Sequence, residues 1–343
     1  FGSSPVPPLV RARRRLPSAG PQTRRPMRRR GAAEAGEVEP QLLVIGGLQG
    51  RGPQASAELL CWPPKPQPPF PRLASPRWGC AAVALGEGRV LVVGGSDGLE
   101  DLAATELLDS LGSRPGPRLR SPRSGCAAVR LDERRVLVLG GYGQDTTELL
   151  DLASMEFVPG PRLSAPRACA AAVALGRSRL LVAGGFGRSG CCDTSELADF
   201  SSAFGEGAGP YDVEKTAFLP GPRLARARAA CTALRLDESR VLVAGGFDGS
   251  EQHASTEVLD LESMTFGPGP GMATARSGAS AALLDELKAI VAGGVDAQDS
   301  YQDSTELLDL GSMTFRRGPV MAAPRAYCAA ISLQPSVGVA GLG

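Results

Sequence analysis

Val136-Leu-Val-Leu-Gly-Gly-Tyr142 opens a unit that runs through Thr147-Glu-Leu-Leu-Asp151, Met155-Glu-Phe157 and Pro159-Gly-Pro-Arg-Leu163. The unit ends at Pro166-Arg167, which leads into Ala168-Cys-Ala-Ala-Ala-Val173. The apolar run closed by two glycines returns at Gly46-Gly47, Gly94-Gly95, Gly140-Gly141, Gly184-Gly185, Gly245-Gly246 and Gly293-Gly294, in steps of 48, 46, 44, 61 and 48 residues. A period of that size marks units that cannot bury their apolar faces alone and must stack.

Each unit reads as four short strands. Val136 to Leu139 is too short for a buried helix and is rich in Val and Leu, as in a strand covered on both faces. The glycine pair ends it with backbone angles that side chains forbid. Thr147 to Asp151 and Met155 to Phe157 form the next two strands across a tight turn, and Pro159-Gly160-Pro161 breaks the ladder. Ala168 to Leu175 supplies a fourth strand. Polar turns such as Leu131-Asp-Glu-Arg-Arg135 then join it, hairpin fashion, to the next glycine-ended strand. Four antiparallel strands per period make one propeller blade.

These residues resemble the kelch-repeat family of β-propellers: an apolar strand ending in Gly-Gly, then Tyr-Asp, then an aromatic seven positions after that Tyr. Tyr211-Asp212 with Phe218 matches most closely. Leu150-Asp151 with Phe157, Leu259-Asp260 with Phe266, and Leu308-Asp309 with Phe315 keep the spacing, with Leu in place of Tyr and Phe in place of the usual Trp. Leu108-Asp109 lacks the aromatic. The resemblance spans residues 41 to 343 and implies an all-β propeller that binds protein partners.

The expected fold is a six-bladed ring of four-stranded antiparallel blades. Blade one begins at Gln41-Leu-Leu-Val-Ile45 without an Ala-Cys strand before it, and that strand appears at the other end as Arg325-Ala-Tyr-Cys-Ala-Ala-Ile331. A blade built from both ends of the chain closes the ring and removes sheet edges. Val337-Gly-Val-Ala-Gly341 resembles the start of another unit and keeps seven blades as the alternative. The 61-residue step places an insertion in a loop at 186–210, counted to Tyr211 as the residue before the Asp of that unit.

Charge divides the chain into two regions. Residues 1–36 hold nine Arg and one acid, which leaves 28 basic and 35 acidic residues for 37–343. The Arg- and Pro-rich tail has too little apolar content to fold and is expected to be disordered. Three readings of it stay open: a basic arm for nucleic acid or nuclear import, a transit-like presequence, or sequence upstream of an initiator at Met27. Nucleic acid is expected as a partner only if the tail is expressed and functional. No apolar run nears bilayer length, so no membrane partner is expected; a monomeric, cytoplasmic protein is expected, nuclear or organellar if the tail targets it.

Residues present in every unit most simply serve the unit. Arg77, Arg123, Arg167, Arg228, Arg276 and Arg325 precede the Ala-rich strand, and Glu58, Glu106, Glu148, Glu257 and Glu306 open the strand after the Gly-Gly loop. Alternation sets both groups near one rim, where they are expected to pair with each other; the alternative is an Arg ring open to an anionic ligand. Cys80, Cys126, Cys231 and Cys328 recur three residues after the Arg and are expected to be reduced packing residues.

Enzyme signatures fail. Gly185-Phe-Gly-Arg-Ser-Gly190 matches a dinucleotide fingerprint, yet no helix-forming sequence follows to hold a pyrophosphate. His253 is the single histidine, so no multi-His metal centre is expected, nor any cofactor, and it reads as a solvated loop residue. A rim for recognition remains. Its candidate partner-binding residues are Tyr142, Phe186 and Phe247, each directly after a Gly-Gly, with Arg188, Cys191, Cys192 and His253 in neighbouring loops. The expected function is a non-catalytic protein-interaction module, a scaffold or adaptor; the alternative is a carbohydrate- or small-acid-handling propeller enzyme.

Overall fold

A computed structural model describes residues 41–333 except 51, 62–64, 66–68, 177 and 205–215. The chain divides between Glu37 and Val38, and the second unit is the propeller. The tail, the segment Val337 to Gly341 and Tyr211-Asp212 lie outside the described residues.

Six antiparallel blades form the ring. Five have four strands in simple inner-to-outer order, as in Ala127–Arg130, Arg135–Leu139, Thr147–Asp151 and Glu156–Pro159. Blade one shows three strands among the described residues: Ala329–Ser332 inside, then Gln41–Ile45, then Ala57–Cys61. Leu42 pairs with Ser332 and Ile45 with Ala329, so the last described strand completes the first blade. The innermost strands touch their neighbours all the way round, which closes the ring at six blades rather than seven.

The second strand of each blade is buried on both faces, as its unbroken Val and Leu content requires. The aromatic seven residues beyond the repeated Leu pairs directly with it, as Leu150 with Phe157, Leu259 with Phe266 and Leu308 with Phe315. These pairs join the apolar clusters between blades, where Leu and Phe fill the space expected of Tyr and Trp.

The expected insertion at 186–210 is corrected. The third strand of blade four is Ser195–Asp199, and its loop from the glycine pair is a tight hairpin of Phe186–Gly187 with Gly190–Cys191. Ser195-Glu-Leu-Ala-Asp199 is that blade's version of Thr-Glu-Leu-Leu-Asp, disguised by Ala198. The extra residues therefore fall in sequence between Asp199 and the outer strand Leu219–Pro220, and the described part, Phe200 to Phe204, starts from the strand end opposite the glycine pairs. Phe200, fully buried, stacks on Phe204 at 5.5 Å, and Arg135 of blade three lies 3.9 Å above the Phe204 ring.

Candidate functional site

The rim that carries the glycine pairs is built by two sets of hydrogen bonds. The second glycine of each blade donates its N–H to the carbonyl of the repeated Arg in the next blade, from Gly47 to Arg77 at 2.9 Å round to Gly294 and Arg325 at 2.9 Å. A side chain on the first glycine would strike that same carbonyl: a Cβ on Gly46 would lie 2.6 Å from the Arg77 oxygen. The pair is required at this approach.

Closer to the axis, the residue two after each Arg forms a closed ring. Gly79 donates to Tyr327, Gly125 to Gly79, Cys169 to Gly125, Ala230 to Cys169, Gly278 to Ala230 and Tyr327 to Gly278, all at 2.7–2.9 Å. All six have positive φ between 50° and 64°. This hexagon of peptide groups narrows the axial mouth to a cavity of about 120 Å³, lined by small residues, cysteines and Tyr327. Sequence reading missed the ring because Cys169, Ala230 and Tyr327 carry no glycine to advertise it.

The repeated Arg side chains are not open to this mouth. Each is buried against the Glu of its own blade, as Arg123 Nη2 with Glu148 Oε1 at 2.8 Å and Arg228 Nε with Glu257 Oε1 at 3.0 Å. Nη1 of each Arg also donates to the first glycine's carbonyl, as Arg276 to Gly293 at 2.8 Å. The Glu accepts backbone N–H groups from the loop before its Arg, as Glu148 does from Arg120 and Ser121. Glu196 completes the set, bound to Arg167; it escaped the sequence reading together with its strand. Blade one is the loosest: Arg325 Nη2 stands 3.6 Å from Glu58 Oε2, and Arg325 Nε and that same oxygen lack hydrogen bonds. A cavity of about 590 Å³ between blades six and one opens onto this pair.

Aromatic side chains supply what remains at the mouth. Tyr142 is 43% exposed, and its ring lies 6.4 Å from Trp78, which meets Tyr327 edge-on at 5.8 Å. The Tyr142 hydroxyl is 3.5 Å from Cys169 Sγ, and burial pushes both groups above their usual pKa range. Phe186 is 48% exposed on its hairpin opposite Cys191, and Phe247 is half-buried. Trp78 and Tyr327 were not among the sequence candidates, although each sits within two residues of a repeated Arg, a position that could have flagged them.

The other candidates separate. Arg188 is exposed at the hairpin tip, while Cys191 and Cys192 are half-buried on it. His253 is corrected from a solvated residue: it is 3% exposed, tucked under its loop with Nε2 3.4 Å from Asp248 Oδ2. Cys80, Cys126, Cys231 and Cys328 are free thiols wedged between blades; Cys231 Sγ donates to the Arg228 carbonyl at 3.5 Å. The Gly185 to Gly190 stretch forms the hairpin, with no helix to receive a phosphate. No helix among the described residues is long and apolar enough to cross a membrane.

No protein-family model matches the chain, and no curated protein matches it. The solved structure of YjhT superposes with a TM-score of 0.64 at 12% identity, covering 80% of this chain and 97% of that one. At that identity the likeness is one of fold. The chain is a six-bladed β-propeller.

Proposed function

We infer that this propeller is a kelch-like, non-catalytic protein-interaction module whose partner seats on the glycine-pair rim over Trp78, Tyr142 and Tyr327. The observation that carries this reading is the aromatic cluster itself. Trp78 meets both Tyr142, 43% exposed, and Tyr327, beside an axial mouth narrowed by peptide hydrogen bonds. Aromatics in such settings anchor interfaces because they bury much area at small entropic cost. The repeated Arg and Glu side chains are spent on each other, which favours recognition by shape over chemistry on a charged substrate.

Capture from native lysate with the parent chain and a Trp78→Ala/Tyr142→Ala variant tests the assignment. A partner held by the parent and lost by an equally stable variant supports it. Equal capture by both moves the contact to another face.

The loose Arg325 and Glu58 pair beside its cavity favours one second reading, a carbohydrate- or small-acid-handling site between blades six and one. It requires a saturable rise in melting temperature with a sugar acid that Arg325→Met abolishes.

A further inference from the structure

We propose that the blade-five rim loop is a site for a first-row divalent cation of the Zn²⁺ class, with Asp248, Glu251 and His253 as its protein ligands. One donor atom from each lies within 4.8 Å of the others. The observation that points to a ligand is the histidine. His253 is 97% buried, by its 3% exposure, and its Nε2 has no hydrogen-bond partner although it faces the Asp248 carboxylate. A buried ring nitrogen left bare is costly and calls for an explanation.

The geometry suits coordination better than a hydrogen bond. Asp248 Oδ1 is already committed, accepting Ser250 N–H at 2.8 Å, Ser250 O–H at 2.7 Å and Glu251 N–H at 2.9 Å. Oδ2 is left facing Nε2 at 3.4 Å without hydrogen-bond alignment. Two ligands bound at about 2.0–2.2 Å on a tetrahedral ion are themselves roughly 3.4 Å apart. One imidazole nitrogen with two carboxylate oxygens matches zinc and its neighbours rather than the all-oxygen shells of calcium and magnesium.

The surrounding charges permit a cation. The charges that act on His253 are those of Arg228 and Arg226 on one side and of Asp248 and Glu251 on the other. Arg228 is itself neutralised by Glu257 at 3.0 Å. Arg226 holds Glu251 at 3.3 Å, but both side chains are well exposed, and such a pair yields readily. Glu251 is exposed, so the group is open to water on that side.

Blade six shows what the loop looks like without the site. Gln302 occupies the same place as His253: its N–H donates to Gly294, and its carbonyl accepts from Arg325, as those of His253 do with Gly246 and Arg276. The Gln302 amide then donates to Asp296 Oδ2 at 2.6 Å, a tie that needs no metal. His253→Gln therefore removes the metal ligand while supplying a side chain the fold accepts at this position.

The test is calorimetric titration of the chelator-stripped, reduced full chain with Zn²⁺, and with Co²⁺ for its absorption spectrum. The expected result is one saturable ion whose affinity falls by more than about tenfold in His253→Gln and in Asp248→Asn, since even supporting groups cost that much. Cys191→Ser/Cys192→Ser, on the adjacent hairpin, retains the site, and the Co²⁺ spectrum lacks a thiolate band. Binding also weakens as pH falls and the imidazole protonates. Unchanged affinity in a folded His253→Gln, loss only on removing the cysteines, or no saturable binding overturns the assignment.

Discussion

Arg167 Nε lies 2.7 Å from Glu196 Oε1, with both side chains almost wholly removed from water. The same guanidinium donates to the carbonyls of Gly184 and Thr194, and the carboxylate accepts the N–H of Ser164. One buried pair thus ties a blade's glycine turn, its third strand and the loop arriving from the blade before. Glu196→Ala leaves the cation buried and unpaired, and the expected loss is about 3–5 kcal/mol by urea denaturation. Glu58→Ala is expected to cost less, because Arg325 is 3.6 Å away and Glu58 is partly hydrated. Equal losses at the two positions would contradict a graded role for the pair.

The axial hexagon stores strain that a single methyl group reveals. Ala230 sits at φ 52°, where a Cβ costs about 1–2 kcal/mol. Glycine relieves this but widens the unfolded ensemble, so Ala230→Gly is expected to be neutral or stabilising by up to about 1 kcal/mol. Gly125→Ala goes the other way: its Cβ would meet Cys169 Sγ and Tyr142 Cε2 at 3.0 Å, at φ 61°. The thermal unfolding midpoint should fall in Gly125→Ala and hold or rise in Ala230→Gly.

Burial makes the interblade thiols weak acids. Cys80 is pushed up to about 12, and Cys126 and Cys231 to about 11, from an ordinary value of 9.0. The folded state therefore keeps these protons after the unfolded state has released them. Their contribution to stability is complete below pH 9 and is lost as pH rises from there towards 11 and 12. Each buried thiol is expected to remove up to about 1.4 kcal/mol per pH unit in that window. Urea midpoints from pH 8 to 11 should fall more gently in Cys80→Ala than in the parent.

Moving the insertion to the stretch after Asp199 separates its two parts. Phe200 belongs to the apolar cluster between blades three and four, and Phe200→Ala should cost about 3–5 kcal/mol. Shortening the segment 205–215 changes loop-closure entropy by only a few tenths to about 1 kcal/mol. It is expected to leave partner capture by the glycine-pair rim unchanged. Lost capture in the shortened chain would return the interface to the insertion.

Legibility followed locality. The Gly-Gly period, the alternation and the turn chemistry act within one hairpin, so the blades and the closing role of Arg325 to Ile331 were readable in the chain. The reading failed at blade four, where Ala198 stands in for Leu and Tyr211-Asp212 offered a better local match to the kelch pattern. That one misregistration moved the insertion to the wrong loop and hid Glu196. Of the aromatics on the glycine-pair rim, Tyr142, Phe186 and Phe247 were legible because each follows a glycine pair. Trp78 and Tyr327 were not, because the rings that meet are 249 positions apart in the sequence.

The sequence by itself determined that this chain builds like units, that four strands make each unit, and that the first blade is completed from the far end. Those properties are written in short-range patterns of apolar, glycine and proline residues, which set the backbone wherever the units end up. Tertiary structure alone decided that the repeated Arg and Glu neutralise each other, that a ring of peptides narrows the axis, and that Trp78 brings Tyr142 and Tyr327 together. It also decided that His253 is buried beside Asp248 rather than solvated. Each of these depends on distances between blades or across a folded loop, and closing the ring sets those distances.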